Sequence, residues 1–165
     1  MPEITTFLTF ESQAEQAVQY YLSVFEDGKI LHTMRMGDAG PGPKGAVLGL
    51  TFELLGKKFM ALNGGPTFKF TEAISLFVGC DTQAEIDRYW TKLTENGGKE
   101  IQCGWLVDKF GVSWQIVPKT LATQLGDSDA AKSSRTMQAM MQMKKLDIAA
   151  LKRAYDGVDA TTGGR

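Results

Sequence analysis

Two stretches of the chain begin with a short run of strand-forming residues and continue with apolar residues at a helical spacing. Residues 3–10 and 74–80 are short and rich in β-branched and aromatic side chains, which predicts a strand at each place. The apolar residues that follow recur at every third or fourth position, as on one face of a helix. They are Ala14, Ala17, Val18, Tyr21, Leu22 and Phe25 in the first stretch, and Ala84, Ile86, Tyr89, Trp90 and Leu93 in the second.

Each predicted helix has a start signal and a stop signal. Ser12 with Glu15, and Thr82 with Glu85, have the spacing of a capping box, in which the hydroxyl and the glutamate each accept a backbone N–H. The first helix is expected to end near Gly28 and the second at residues 96–98, because glycine permits the left-handed turn that ends a helix.

Three extended segments follow each helix, and each half therefore has the order β-α-β-β-β. Hairpin turns are predicted at 55–57 in the first half and at 108–111 in the second, where glycine interrupts the apolar runs. The predicted strands are 28–36, 46–55 and 58–63 in the first half, and 98–103, 104–108 and 112–117 in the second.

The two halves are copies of one unit. Residues 4–20 and 74–90 align without gaps at an offset of 70 and share five identical residues, where average composition gives roughly one. We predict an α+β fold of two βαβββ modules, 1–65 and 66–118, whose bare sheet faces are buried by forming one curved mixed sheet. Residues 119–156 are expected to form a helical extension with Asp147 capping its last helix, and residues 157–165 are expected to be a disordered tail.

Composition narrows the class of partner. Apolar residues make up 43% of the 165 residues, charged residues make up 22%, and the net charge is −1, so neither nucleic acid nor a membrane is expected to bind. No apolar run approaches the ~18 residues of a membrane span, and the first ten residues lack the pattern of a signal peptide. The two cysteines, Cys80 and Cys103, are expected to be free thiols in the cytoplasm.

At this point the chain resembles a known family. The segments that carry the resemblance are residues 10–21, 59–70, 74–90, 103–118 and 141–155. They are similar to the PhnB-like group, often labelled the 3-demethylubiquinone-9 3-methyltransferase domain, of the vicinal oxygen chelate superfamily. That superfamily includes glyoxalase I, extradiol dioxygenases and antibiotic-resistance proteins. The resemblance implies a glyoxalase-like fold and a homodimer.

The resemblance also indicates where a metal ion would lie. Metal enzymes of the superfamily hold their ion at four matched positions, which correspond here to Thr5 (or Thr6), Met60, Ser75 and Gln115. A divalent-cation site usually needs three or more imidazole or carboxylate ligands, and only Gln115 among the four is a reasonable ligand. The sole histidine, His32, is expected on the second strand, away from these positions. We therefore predict no catalytic metal and no cofactor.

Strand alternation then predicts which side chains line a cup between the modules. The side chains on the other face of the same strands are expected to pack against the helices; they are Ile4, Leu8, Ile74, Val78, Trp114 and Ile116. Burial as ordinary core is the alternative for the cup residues. The predicted pocket residues are Phe7, Met60, Leu62, Phe77, Trp105, Ser113 and Gln115.

The resulting hypothesis is a protein that binds a small apolar or aromatic molecule without a metal, with Gln115 as its polar anchor. A metal-dependent lyase, isomerase or dioxygenase of the same superfamily is the alternative. A methyltransferase that uses S-adenosylmethionine is a third hypothesis, and only the Gly/Pro-rich loop 37–45 faintly resembles its acidic turn. The minor candidates are Cys103 as a nucleophile and Asn63 as a binding residue. The methionine-rich segment 137–143 is expected to be core or a dimer contact, and Glu72, Asp108 and Lys109 are expected to be solvated turn charges.

Overall fold

The computed structural model describes residues 1–158 and contains two compact units, which divide between Phe70 and Thr71. Each unit has a four-stranded mixed sheet with a helix packed on it, and the second unit carries three further helices. The α+β class is therefore confirmed. No helix within the described residues is long and apolar enough to cross a membrane.

In the first unit, one helix follows the first strand and packs on the four-stranded sheet. Its strand order is β1-β4-β3-β2, with β1 parallel to β4 and the other pairs antiparallel. Leu55 and Gly56 form a two-residue hairpin turn at positive φ, as predicted. Its elements are β1 (Thr6–Phe10), α1 (Ala14–Val24), β2 (Lys29–Arg35), β3 (Val47–Leu54) and β4 (Lys57–Asn63).

The second unit repeats this topology with the order β5-β8-β7-β6 and the same parallel and antiparallel pairings, so the predicted duplication is confirmed. The strand predicted over 98–103 is shorter, because Cys103 and Gly104 both adopt positive φ and turn the chain. The elements are β5 (Leu76–Cys80), α2 (Gln83–Thr94), β6 (Lys99–Glu100), β7 (Trp105–Val107), β8 (Ser113–Pro118), α3 (Leu121–Leu125), α4 (Ala130–Met141) and α5 (Ile148–Asp156), with a 3₁₀ turn at Glu95–Gly97.

Burial follows the predicted alternation along most of the strands. Leu8, Val78, Trp114 and Ile116 are buried, as expected of the face that packs on the helices. The prediction was wrong for Ile4 and Ile74, which are exposed because the strands begin two residues later, at Thr6 and Leu76. The helical stripes are buried through Ala14, Ala17, Val18 and Tyr21 in α1 and through Ile86, Trp90 and Leu93 in α2.

The two equivalent helices are capped by different means. Thr82 and Glu85 form the predicted capping box of α2. Ser12 does not cap α1, so that prediction was wrong. Asn63, at the end of β4, accepts a hydrogen bond from Ala14 N at 2.8 Å and donates one to Val47 O at 3.0 Å. A side chain 49 residues away in sequence thus caps the first helix.

Asp108 is buried in the turn between β7 and β8, which corrects its prediction as a solvated charge. Its carboxylate accepts hydrogen bonds from Phe110 N at 2.8 Å, Val112 N at 3.1 Å and Trp114 Nε1 at 2.9 Å. These donors satisfy a carboxylate that would otherwise be costly to bury. The turn itself closes as predicted, with Gly111 N donating to Asp108 O.

The helical extension is attached to the second unit at several points. Asp147 caps α5, as predicted, and accepts from Ala150 N at 2.8 Å. Gln83 in α2 accepts from Ile148 N at 2.8 Å and donates to Leu146 O at 3.1 Å. Gly157 ends α5 in the left-handed conformation; the rest of the predicted tail, 159–165, lies outside the described residues.

Candidate functional site

A concavity of about 230 Å³ lies on one face of the first sheet. A first row of paired residues crosses all four strands of this sheet. Phe7 pairs with Met60, Met60 with Thr51, and Thr51 with His32. The second row pairs Leu62 with Gly49 and Gly49 with Met34. The concavity is lined by Phe7, His32, Met34, Gly49, Leu50, Thr51, Met60, Ala61 and Leu62.

The structure brings together the three predicted pocket residues of this unit, Phe7, Met60 and Leu62. Phe7 remains 51% exposed, although its neighbours in the strand, Leu8 and Phe10, are buried. An aromatic side chain left half exposed on a β-strand is free to contact a bound molecule.

His32 is also in this concavity, so the expectation that it lies away from the matched positions was wrong. The register between β2 and β3 shifts after Ile30, which pairs with Phe52, and before His32, which pairs with Thr51. This β-bulge at Leu31 changes the alternation and turns His32 to the same face as Met60. Alternation counted from the sequence has no signal for such a bulge.

Gly49 keeps the floor of the concavity open. A Cβ at this position would lie 2.8 Å from the backbone oxygen of Ala61. That separation is shorter than van der Waals contact, so any larger residue would displace the neighbouring strand or the lining.

The equivalent face of the second unit carries the other four predicted pocket residues. Phe77 pairs with Gln115 and Gln115 with Trp105, in one row across three strands, and Phe77 is 62% exposed. Gln115 Nε2 donates to Ser75 Oγ at 2.8 Å. Ser113 is buried, and its Oγ has no hydrogen-bond partner among the described residues.

The two faces differ at one end because of the helical extension. The position of Leu62 in the first unit corresponds to Val117 in the second, as Met60 corresponds to Gln115. Leu62 lines the open concavity, whereas Val117 is buried in a cluster with Leu121, Leu146 and Leu151. The extension therefore fills, in the second unit, the place that stays open in the first.

The four matched metal positions offer poor ligands. They supply the hydroxyls of Thr5 and Ser75, the thioether of Met60 and the amide of Gln115, whose nitrogen already binds Ser75. Within residues 1–158, no three His, Cys, Asp or Glu side chains are grouped so that they could hold an ion. His32 beside Met60 adds a single imidazole. This donor set does not fit a catalytic divalent cation.

The loop between β2 and β3 does not fit S-adenosylmethionine. An acidic Gly-rich turn binds a nucleotide when it follows a parallel strand and opens a helix. Residues 36–46 join two antiparallel strands instead, and Asp38 forms an exposed ion pair with Lys44 at 2.8 Å.

Neither cysteine is arranged as a nucleophile. Both are free thiols. Burial raises the pKa of the Cys80 thiol to about 11, which keeps it protonated at neutral pH. Cys103 lies in a turn where its N–H donates to Met143 O at 2.8 Å, and the second unit contains no histidine to act as its base.

A second cleft, of about 380 Å³, lies between α4 and α5 and is lined by Arg135 and Arg153. The Arg135 guanidinium donates to Ala154 O at 2.9 Å and Tyr155 O at 2.8 Å, at the carboxyl end of α5. Arg135 is thus engaged in holding the helix end. The cleft also adjoins the last described residue, Val158.

Comparisons with known proteins agree with this fold. The model of the 3-demethylubiquinone-9 3-methyltransferase family matches residues 2–117, so α3, α4 and α5 lie beyond the match. The chain is similar to the putative 3-demethylubiquinone-9 3-methyltransferase, PhnB protein, from Bacillus cereus, with 40% identity and a TM-score of 0.64. The similarity covers 70% of this chain and 99% of that one.

Two further solved structures share the fold at lower identity. Protein PA1353 from Pseudomonas aeruginosa is 21% identical with a TM-score of 0.59, and covers 72% of this chain and 98% of its own. The fosfomycin resistance protein FosX from Mesorhizobium loti is 14% identical with a TM-score of 0.54, and covers 77% and 100%. Among curated proteins, none matches the chain. The chain belongs to the PhnB-like 3-demethylubiquinone-9 3-methyltransferase family.

Proposed function

We propose that this protein binds a small apolar or aromatic molecule in the concavity of the first unit, without a catalytic metal. The observation that carries the proposal is the apolar lining of that concavity, with Phe7, Met60 and Leu62 on one open sheet face. Covering such surface releases about 25 cal/mol per Å². Pockets lined mainly by apolar side chains with a few polar groups are typical small-molecule sites.

The proposal includes the absence of a catalytic metal. The hydroxyl, thioether and amide groups at the four matched positions, which are poor ligands for a divalent cation, support it. Elemental analysis of the purified, dialysed protein is expected to give far less than one zinc, iron or manganese ion per chain. A stoichiometric ion would contradict this part and would favour the alternative, a metal-dependent enzyme of the superfamily. S-adenosylmethionine is expected to give no binding heat in calorimetry.

Two leucine variants test the concavity directly. Leu62→Gln places an amide among apolar side chains, whereas Leu55→Gln changes an exposed residue of the hairpin turn. With naphthalene as a neutral fluorescent probe, we expect Leu62→Gln to weaken binding about tenfold, because an unpaired polar group costs about 1–3 kcal/mol. Leu55→Gln is expected to bind as the natural chain does. Equal affinity in both variants would contradict the site.

We propose that the equivalent face of the second unit is a separate binding position, with Gln115 as its polar anchor. Its amide nitrogen binds Ser75, which holds the side chain in one orientation. Gln115→Ala is expected to weaken binding of 2-naphthol at this second position by about two- to tenfold and to leave binding in the concavity of the first unit unchanged. Gln102→Ala, at a nearby exposed position, is the control. Unchanged affinity in Gln115→Ala would rule out the anchor.

We also propose that the protein forms a homodimer and works in the cytoplasm. Homodimers are expected from the superfamily, and Met137 and Met141 leave an exposed apolar stripe on α4. The two free thiols are consistent with a reducing compartment.

A further inference from the structure

We propose that His32 and Thr51 recognise a hydroxyl group, so that the ligand is a compact aromatic alcohol or phenol. This inference rests on the proposed function and names the class of ligand that the same concavity selects. It arises from the bulge in β2, which places the only histidine of the chain among apolar side chains.

His32 and Thr51 are neighbours on adjacent strands and form a single polar group of side chains. They are directly paired across β2 and β3, which places their Cβ atoms about 5 Å apart. Within residues 1–158, neither side chain makes a hydrogen bond or an ion pair with the protein. Both therefore keep their hydrogen-bonding capacity for water or a ligand.

The remaining lining offers no other polar side chain. Besides His32 and Thr51, it consists of Phe7, Met34, Gly49, Leu50, Met60, Ala61 and Leu62. The polar pair lies on β2 and β3, whereas Phe7 lies on β1 at the other end of the same row. A ligand that matches this order has a hydroxyl at one end and an apolar body that extends over Met60 toward Phe7.

The chemistry of the pair favours a hydroxyl over other polar groups. A neutral imidazole has one donor and one acceptor nitrogen, and the threonine hydroxyl can both donate and accept. A ligand hydroxyl also donates and accepts, so it can bind both side chains at once. The concavity is about 230 Å³, below the ~300–1,000 Å³ of drug-sized sites, which favours one or two rings.

The test compares 2-naphthol with naphthalene, two probes that differ by one hydroxyl, at pH 8. In the natural protein we expect 2-naphthol to bind about three- to tenfold more tightly, as one net hydrogen bond provides. His32→Phe keeps an aromatic ring and removes both nitrogens, so this preference is expected to fall to about twofold or less, which the Thr51 hydroxyl alone provides, while naphthalene affinity changes little. His32→Gln, whose amide donates and accepts, should recover part of the preference.

The single histidine makes the readout specific, because its Cε1–H gives one NMR signal. We expect this signal to shift with 2-naphthol and to shift less with naphthalene. If both probes bind equally and Leu62→Gln weakens both, the apolar site stands and the role of His32 is wrong. If neither probe binds, the proposed function itself fails. A preference for 2-naphthol that is as large in His32→Phe as in the natural protein would also overturn the inference.

Discussion

Asp108 shows how much of this fold depends on one side chain. Its carboxylate is 2% exposed and holds two turn amides together with the indole of Trp114. Trp114 lies on β8 beside Gln115, so the same hydrogen bonds also fix the strand that carries the proposed anchor. In the sequence, an aspartate before Lys-Phe-Gly is typical of an exposed turn and gives no sign of this burial.

We expect Asp108→Ala to lower the free energy of unfolding by about 2–4 kcal/mol, because it leaves a buried indole N–H and two amides without their acceptor. Urea denaturation measures this. Asp38→Ala is the matched control, since Asp38 is 84% exposed and forms only a surface ion pair, and we expect a change below about 0.5 kcal/mol. Equal effects of the two substitutions would contradict the role of Asp108.

Cys80 gives a prediction that depends on pH. Desolvation by burial is the main cause that raises the pKa of its thiol from 9.0 to about 11, and the nearby Glu85 carboxylate adds to it. The protonated thiol is favoured in the folded state. The contribution of Cys80 to the free energy of unfolding is therefore fully present below pH 9 and is lost as the pH rises toward 11.

At pH 8, iodoacetamide is therefore expected to leave Cys80 unmodified in the folded protein and to alkylate it once urea unfolds the chain. Peptide mass spectrometry distinguishes Cys80 from Cys103, which is half-buried and serves as the internal reference. Rapid alkylation of Cys80 in the folded protein would contradict its burial.

At the scale of elements, the internal repeat predicted the topology, but it did not predict the cap of α1 or the bulge in β2. The repeat and the capping box of α2 are confirmed by the structure, and the predicted alternation holds along most of the strands. The cap of α1 and the bulge at Leu31 depend on contacts between distant segments. Neither has a residue signature, so the position of His32 could not be read from the chain.

The caps give a matched test. Asn63→Ala removes the acceptor for Ala14 N and the donor to Val47 O, and we expect a loss of about 1–2 kcal/mol of stability. Ser12→Ala, at the position that the sequence pattern favoured, is expected to change stability by less than about 0.5 kcal/mol. Thermal unfolding followed by circular dichroism compares the two. A larger loss in Ser12→Ala than in Asn63→Ala would mean that Ser12, and not Asn63, caps α1.

At the scale of the whole molecule, the helical extension distinguishes this chain from the family domain. The family match ends at residue 117, and the helices beyond it bury Val117 on the second sheet. The fold class and the family could be predicted from the sequence. The open face of the first sheet could be predicted only in part, through Phe7, Met60 and Leu62, because Gly49, Thr51 and His32 join it through pairing across strands.

The proposed dimer belongs to this scale as well. Sedimentation is expected to give twice the chain mass of 18.1 kDa. Met141→Lys, which places a charge on the exposed stripe of α4, is expected to shift the protein toward monomer, whereas the neighbouring Gln142→Lys should not. A natural protein that sediments as a monomer at micromolar concentration would contradict the proposal.

The most direct test of metal-independent binding is a methyl NMR titration of methionine-labelled protein with 2-naphthol in the presence of EDTA. Met34 and Met60 line the concavity, and their signals can be assigned with the variants Met34→Leu and Met60→Leu. We predict that both signals shift and saturate although no free divalent ion is present. Signals that stay unchanged, or that move only after zinc, iron or manganese is added, would contradict the account.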